Sequence, residues 1–287
     1  MISVLYISNR YGGLDILKAN LSRQSTNDFE LVFVDGLYNE RKNEVKKHFN
    51  GFKVKHLDQT LIPMDGFHSR LARADNVGFR NCDGDLIVCL QDYIWINPYG
   101  LEKFLEITKQ YDGKVLVTGI GHQYKKPTVD DIKNPTGLIT VFEHNYTRQP
   151  EVLFWRDPRD SGKQEIRPAE PVEWELNWAS IPRAVIEDLG GMDEEYDRHG
   201  FAFDNTNIAE RAKMLGYKIL LDPTNECYGF DHDGWWENPL KKNRISPINY
   251  HLEQMNKMKR GIISPRLNYL WNQKLMQEEK DMGLKEK

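Results

Sequence analysis

Regular alternation of strand and helix patterns over residues 1–120 is the feature that most restricts the fold of this 287-residue chain. Continuous apolar runs predict buried strands at residues 2–8, 29–36, 52–57, 86–96 and 115–119. Helical spacing or charged composition predicts helices between them at 14–24, 38–49, 69–81 and 101–110. The alternation predicts an α/β fold with a mostly parallel sheet flanked by helices.

The second half of the chain is organised differently. Residues 121–171 are polar and interrupted by prolines, which predicts functional loops or short strands. Regular structure is expected again from residue 172, with helices at 183–189 and 205–215 and a strand at 217–221. Glycines directly follow both helices and predict where they end: Gly190, Gly191 and Gly216.

Basic residues outnumber acidic ones after Pro239, although the whole chain has a net charge of −4. This change predicts a main domain over residues 1–240 and a basic helical extension over 241–287. The domain is expected to have two halves, 1–120 and 121–240. The overall acidity argues against a general nucleic-acid binder.

Composition excludes several classes of protein. No apolar run approaches the roughly 20 residues that span a bilayer, so no transmembrane segment is expected. The N-terminal apolar run is short and lacks a preceding basic stretch, which argues against a signal peptide. Three cysteines without a CxxC pair favour a reducing compartment, and a cytoplasmic location is therefore expected.

Two aspartates stand near the ends of predicted strands, where open α/β sheets bind ligands. Asp35 follows an apolar run and could accept hydrogen bonds from a base or a ribose, or it could simply form an Asp-Gly turn. Asp92 lies within a strongly apolar run, where burial of a carboxylate requires a cation or a hydrogen-bond donor.

Three segments resemble, in order, GT-A-fold glycosyltransferases, most closely family 2 of inverting enzymes that use nucleotide sugars. They are ISVLYISNR with ELVFVDG, then ARADNVGFRNCDGDLIVCLQDY, then NWASIPRAVIEDLGGMDEEYDRHGFAFDNTNIAERAKMLGYKI. The resemblance implies a Rossmann-like GT-A fold and a hexosyltransferase activity with a nucleotide-sugar donor, most simply UDP-linked. It places the donor near Asn9, Asp35, Arg70, Arg73, Gln91 and Asp92.

The resemblance also implies a divalent metal, Mn²⁺ or Mg²⁺, at Asp92. This chain has Gln91-Asp92-Tyr93 where the family has two or three acids, so further ligands would have to come from elsewhere. His232 is the candidate, because imidazole suits Mn²⁺ better than Mg²⁺. The alternative is that His232 is an ordinary surface histidine.

Asp204 is the predicted general base. The family has Glu-Asp where this chain has Asp204-Asn205. Counting back from Arg211 aligns Asp204 with the Glu and Asn205 with the catalytic Asp, whereas a shift by one residue aligns Asp204 with the catalytic Asp. Only a carboxylate can take the proton from an acceptor hydroxyl, which favours Asp204. Attack from the face opposite the diphosphate would invert the anomeric centre. Asp204 could also cap the helix that follows it, and the two roles are compatible.

Aromatic and polar residues of the second half are predicted to bind the acceptor, a saccharide or another molecule with a hydroxyl group. They are Trp174, Glu175, Asn177, Trp178, Trp235 and Trp236, and two of the four tryptophans are expected to belong to the core. Two alternative functions remain. Because the tail is basic, the acceptor could be a modified base in DNA, which is less favoured. Because the metal motif has only one acid, the protein could also be a catalytically silent one that binds a nucleotide or a sugar.

Overall fold

The structure is a computed structural model that describes residues 1–59, 71–124, 153–199, 203–230 and 245–267. The strands found in these residues form one sheet. They are β1 (Ile2–Ser8), β2 (Phe29–Asp35), β3 (Val54–Asp58), β4 (Leu86–Gln91), β5 (Ile94–Ile96), β6 (Val115–Tyr124), β7 (Leu153–Trp155), β8 (Arg167–Pro168), β9 (Trp178–Pro182) and β10 (Lys218–Phe230).

Helices connect and cover these strands. The described helices are α1 (Leu14–Ser22), α2 (Tyr38–His48), α3 (Leu71–Asn81), α4 (Gly100–Gln110), α5 (Arg183–Leu189), α6 (Tyr196–His199), α7 (Asp204–Met214) and α8 (Ile245–Lys259). A short 3₁₀ turn covers Pro171–Glu173.

The sheet has the strand order β3-β2-β1-β4-β9-β6-β10-β5, with β7 beside β6 and β8 beside β10. The first four strands are parallel, as the alternation predicts. β9 is antiparallel to both of its neighbours, and β5 is antiparallel to β10, so the whole sheet is mixed. After β1 the chain forms β2 on one side of β1, and it later forms β4 on the other side of β1. Ligands bind at such a switch point in open α/β sheets.

The predicted strand over residues 86–96 is two strands. Residues Asp92 and Tyr93 form a turn, with Tyr93 at a φ of 58°. β4 continues the parallel part of the sheet, whereas β5 pairs with β10 at the other end of the strand order. The prediction was wrong here because both strands are apolar and only the turn separates them.

Helices cover both faces of the sheet, as the α/β prediction requires. Apolar residues of α1, α2 and α4 pack on one face, and those of α3, α5 and α7 pack on the other. Helix α3 approaches the sheet so closely that a Cβ on Gly78 would lie 2.2 Å from Cδ1 of Leu5.

Glycines end α5 and α7, as predicted from the sequence. α5 ends at Leu189, and Gly190 adopts a φ of 76° while its amide donates to the carbonyl of Ile186. α7 ends at Met214 and Gly216 has a φ of 87°. Both glycines occupy the left-handed region that terminates helices.

The C-terminal extension contributes helix α8. His251, Met255 and Met258 on one side of this helix are buried, and the hydroxyl of Tyr250 donates to Asp193. Residues 268–287 of the predicted basic tail lie outside the described residues. No helix within the described ranges is both long and apolar enough to cross a bilayer.

Candidate active site

The carboxyl ends of β3, β2, β1 and β4 form one edge of the sheet, which we call the carboxyl edge. The register pairs Ser8 with Asp35 across β1 and β2, and Ile7 with Gln91 across β1 and β4. Because these strands are parallel, the residues that follow them face the same side. Most of the predicted donor residues that the structure describes therefore lie together.

Asp35 is fully buried at the end of β2. Nε of Arg41 donates to its carboxylate at 2.8 Å, Nε2 of His56 lies 2.8 Å from Oδ2, and the amide of Leu37 donates to Oδ1 at 2.7 Å. Burial raises the pKa of Asp35, but the hydrogen bonds from His56 and Arg41 outweigh it and lower the pKa. The bond from Leu37 shows that Asp35 does form the Asp-Gly turn.

Arg41 joins the end of β2 to the loop that follows β1. Its Nη1 donates to the carbonyl of Arg10 at 2.6 Å while the rest of its guanidinium holds Asp35. Asn9 is exposed in this loop, and a Cβ on Gly36 would lie 2.8 Å from Cβ of Asn9. Gly36 therefore allows the two strand ends to approach. Arg41 was not predicted because it lies in a highly charged helix.

Asp92 follows β4 and is buried, as its position in an apolar run suggested. Nη1 of Arg10 donates to Oδ1 of Asp92 at 2.6 Å, and the hydroxyl of Ser8 donates to Oδ2 at 3.0 Å. Arg10 therefore compensates the burial of Asp92 with a positive charge, together with the Ser8 hydroxyl. Arg10 had no predicted role, although its place directly after a strand was a usable signal.

A divalent ion does not fit Asp92 in this arrangement. The guanidinium of Arg10 lies against one carboxylate oxygen, so a divalent ion would have to displace Arg10 or bind beside a positive charge. Over the described residues, no group of three or more His, Cys, Asp or Glu side chains could hold a metal ion. His232 lies outside the described residues.

Residues 174–177, which we call the connecting strip, join the carboxyl edge to helix α7. The carbonyl of Asn177 accepts the amide of Gln91 at 3.0 Å. At the other end, the carbonyl of Trp174 accepts Nδ2 of Asn205 at 3.2 Å. Four residues span at most about 11 Å between their outer Cα atoms. The strip therefore links Gln91 at the carboxyl edge to Asn205 at the start of α7.

The residues of the strip, and Trp178 directly after it, differ in exposure. Trp174 and Trp178 are buried, and Nε1 of Trp178 donates to Asn225 at 3.1 Å, so both rings belong to the core. Neither ring offers a face to a ligand, which corrects their predicted role in stacking on the acceptor. Asn177 is exposed and the side chain of Glu175 is 42% exposed. These two polar residues remain available at the site.

Glu175 has a raised pKa, chiefly because burial disfavours its charged form. Arg159 opposes this shift from 3.7 Å, and the nearby Asp157 adds to it. Asp157 is itself buried and holds the guanidinium of Arg159. Arg159 therefore orients both acids beside the strip.

Asp204 begins α7 and is partly exposed. Burial of its carboxyl group raises its pKa, and the amides of Asn205 and Asp204 oppose the shift. Asp75 on α3 is close enough to interact with Asp204 and has a pKa raised well above normal by its burial and by Asp204 and Asp197. The carboxyl group of Asp204 thus lies in an environment that favours binding a proton.

Arg73 and Asn76 connect α3 to the Gly-Gly-Met-Asp-Glu turn. Nε of Arg73 donates to Glu194 at 2.8 Å, and Nδ2 of Asn76 donates to the carbonyl of Met192 at 3.0 Å. Arg211 is fully buried and donates to the carbonyls of Leu189 and Gly191. Arg73, Asn76 and Arg211 belong to the segments that resemble the family, and these hydrogen bonds hold the turn between α5 and α6.

The remaining predicted site residues lie outside the described residues. They are Arg70, His232, Trp235 and Trp236.

The fold has known counterparts among solved structures. A TarS fragment (residues 1–349) from S. aureus in complex with UDP matches with a TM-score of 0.54 and 12% identity, covering 80% of this chain and 60% of that chain. GalNAc-T7 with UDP, GalNAc and Mn²⁺ matches with a TM-score of 0.59 and 13% identity, covering 99% of this chain and 54% of that chain. The chain has the GT-A glycosyltransferase fold. The predicted fold is thereby confirmed.

A third GT-A neighbour is the mannosyltransferase PcManGT from Pyrobaculum calidifontis, in complex with GDP-Man and Mn²⁺. It matches with a TM-score of 0.57 and 17% identity, over 88% of this chain and 64% of that chain. The chain thus spans less than two thirds of each of these three neighbours. No protein-family model matches the sequence, and no curated protein matches it.

Proposed function

We propose that this protein is a glycosyltransferase that moves a sugar from a nucleotide diphosphate to an acceptor hydroxyl with inversion. The donor would lie at the carboxyl edge, near Asn9, Asp35 and Asp92. Asp204 would act as the general base on the acceptor side. Three GT-A neighbours bound to UDP or GDP-Man support a nucleotide-sugar donor.

The connecting strip is the observation that carries this proposal. Its hydrogen bonds to Gln91 and Asn205 tie the carboxyl edge to the start of α7. A transferase needs its donor and its base close to one reacting carbon, and the link through this strip supports such an arrangement. A protein that only bound a nucleotide would not need Asp204 near the same edge.

Glycosyl transfer builds positive charge on the anomeric carbon and negative charge on the departing diphosphate. Positive groups at the carboxyl edge would stabilise the leaving group. Asp204 would take the proton from the acceptor hydroxyl as the new glycosidic bond forms. Its raised pKa suits this task, because a stronger base accepts the proton more readily.

Glu175 and Asn177 would contact the acceptor, since both are polar and lie on the strip between the two parts of the site. Mn²⁺ in two of the neighbours supports a divalent cation as a component of donor sites in this fold. In this chain, Asp92 could serve as a ligand only if it released Arg10.

The test is release of nucleoside diphosphate from a panel of UDP- and GDP-linked sugars, with and without Mn²⁺. One donor is expected to be turned over, and the product's anomeric configuration is expected to be inverted. Asp204→Asn should lower turnover at least about 100-fold. Asp28→Asn is the matched control, because Asp28 bonds the N-terminus at the opposite edge of the sheet.

Other outcomes separate the remaining hypotheses. Nucleotide binding without turnover on any saccharide acceptor would favour the silent binding protein. Turnover only with DNA that carries a hydroxymethylated base would favour the DNA acceptor. Retained activity in Asp204→Asn would contradict the assignment of the base and the inverting mechanism.

A further inference from the structure

Arg10 and Asp92 form an ion pair at the switch point between β1 and β4. Their atoms Nη1 and Oδ1 are 2.6 Å apart, and the side chain of Arg10 remains 33% exposed while that of Asp92 is 4% exposed. We propose that Arg10 supplies the positive charge that binds the donor's diphosphate, and that Asp92 positions Arg10 instead of a divalent metal. This inference rests on the proposed function.

Arg10 has donors to spare for a ligand. Nη1 uses Asp92 as its acceptor, and no acceptor for Nε or Nη2 occurs within the described ranges. A guanidinium is a planar fork that can hold a carboxylate with one nitrogen and a phosphate with the others. The exposed third of Arg10 is therefore suited to a phosphate oxygen.

The surroundings fix Arg10 before any ligand binds. Its carbonyl accepts Nη1 of Arg41 at 2.6 Å, and its amide donates to the hydroxyl of Ser8 at 3.2 Å. Arg41 is in turn held by the buried carboxylate of Asp35. The backbone of Arg10 is thus anchored on β2 and β1, while its side chain is anchored on Asp92.

The geometry favours an arginine over a metal at this position. Arg10 already lies against Oδ1 of Asp92, and its remaining donors face away from that carboxylate. The incoming diphosphate brings negative charge, which Arg10 can share while it keeps its bond to Asp92. A divalent ion would instead have to displace Arg10 from the only acid of the Gln91-Asp92-Tyr93 motif.

The test is calorimetric binding of UDP and of GDP to the full chain, in EDTA and in Mn²⁺. The wild type is expected to bind one of them in EDTA, with less than about a threefold change on adding Mn²⁺. Arg10→Gln should weaken binding in EDTA by about 10- to 100-fold, the loss of one charge-assisted interaction. Arg10→Lys keeps the positive charge but lacks the planar guanidinium. Its affinity in EDTA should lie between those of the wild type and Arg10→Gln.

Arg183→Gln is the matched control, because the side chain of Arg183 is 41% exposed and lies far from the carboxyl edge. The backbone amide of Arg183 donates to the carbonyl of Asp85, which precedes β4. This variant should bind as the wild type does. Thermal melting of each variant verifies folding, and if Arg10→Gln does not fold, Arg10→Lys carries the comparison. Binding equal to the wild type in the folded variant would overturn the inference.

The outcomes separate this inference from the proposed function. Binding that requires Mn²⁺ and is insensitive to Arg10 would overturn the inference and leave the glycosyltransferase proposal standing. The absence of nucleoside diphosphate binding under both conditions would overturn both. Binding in EDTA that depends on Arg10, without sugar transfer from any donor, would support the role of Arg10 and contradict the transferase.

Discussion

His251 of helix α8 stacks on Phe203, the residue that precedes Asp204, with ring centroids 5.1 Å apart and ring planes 26° apart. Nδ1 of His251 also lies 2.9 Å from the hydroxyl of Tyr196. Phe203 has a φ of 70°, which a bulky residue adopts only when its surroundings hold it. The C-terminal helix therefore holds the turn that starts α7.

Removing the ring of His251 is expected to slow turnover without weakening donor binding. His251→Ala should cost about 2–3 kcal/mol of unfolding free energy through the cavity it leaves. Loosening of Asp204 should lower kcat roughly tenfold, which is less than the roughly 100-fold that a fixed misplacement of about 1 Å can cost. Steady-state kinetics and thermal denaturation measure the two effects.

Leu252→Ala is the control for this prediction, because Leu252 is the next residue and is 55% exposed. It should change stability by less than about 0.5 kcal/mol and leave kcat unchanged. If His251→Ala lowered stability but not kcat, the stack would support folding only, and its proposed effect on Asp204 would be wrong.

The raised pKa of Asp204 should appear in the pH dependence of the reaction. Because burial raises this pKa, the carboxyl group loses its proton at a higher pH than the ordinary value of about 3.9. A general base works only when deprotonated, so kcat/KM should rise with pH through the raised pKa. Asp204→Asn should remove this acid limb, whereas Asp28→Asn should retain it. An acid limb that persists in Asp204→Asn would assign it to another group.

The Asp35–Arg41 pair should make stability depend on pH. Although burial raises the pKa of Asp35, hydrogen bonds from His56 and Arg41 lower it overall. A group with a lowered folded pKa stabilises the fold above its unfolded pKa, about 3.9, and this contribution is lost as pH falls through the folded pKa. The fold should therefore lose this contribution in acid.

Asp35→Ala should lower the unfolding free energy at neutral pH by about 3–5 kcal/mol, because it leaves Arg41 buried without its partner. The difference from the wild type should shrink in acid. The double variant Asp35→Leu with Arg41→Met should recover much of the loss, since it removes both charges. Urea denaturation at several pH values measures these effects, and a pH-independent loss would contradict the linkage.

Gly190 should tolerate alanine less well than a glycine of similar conformation elsewhere. Gly190 has a φ of 76°, and a Cβ there would lie 2.5 Å from the carbonyl oxygen of Leu267. Gly113 has a φ of 71° with nothing within 4 Å of a Cβ. Gly113→Ala should cost about 1 kcal/mol from the backbone alone, and Gly190→Ala about 2 kcal/mol more from the contact. Equal losses in thermal denaturation would show that the contact relaxes without cost.

Much of the fold follows from local patterns in the sequence. Strands such as β2 are continuous apolar runs because parallel strands are buried on both faces. Gly190 and Gly216 mark helix ends because few other residues adopt their φ values. The antiparallel direction of β9 could not be predicted, because direction depends on the connection before it and not on the strand's own residues.

The site was predictable where a polar residue interrupts an apolar run, as at Asp92. The burial of Trp174 and Trp178 was not predictable for each ring, because aromatic residues suit cores and ligand surfaces alike. Arg10 has a local signal in its place directly after a strand, whereas Arg41 carries none beyond its charge. Their roles depend on strands that are far apart in sequence and adjacent in the sheet.

The antiparallel strand β9 has a mechanical consequence. It pairs with β4 over Leu86–Leu90 and with β6 at Val117 and Thr118, so strands from both halves of the chain share one ladder. A hinge between the halves would have to break that ladder as a unit. The shared ladder therefore resists bending between the two halves of the sheet.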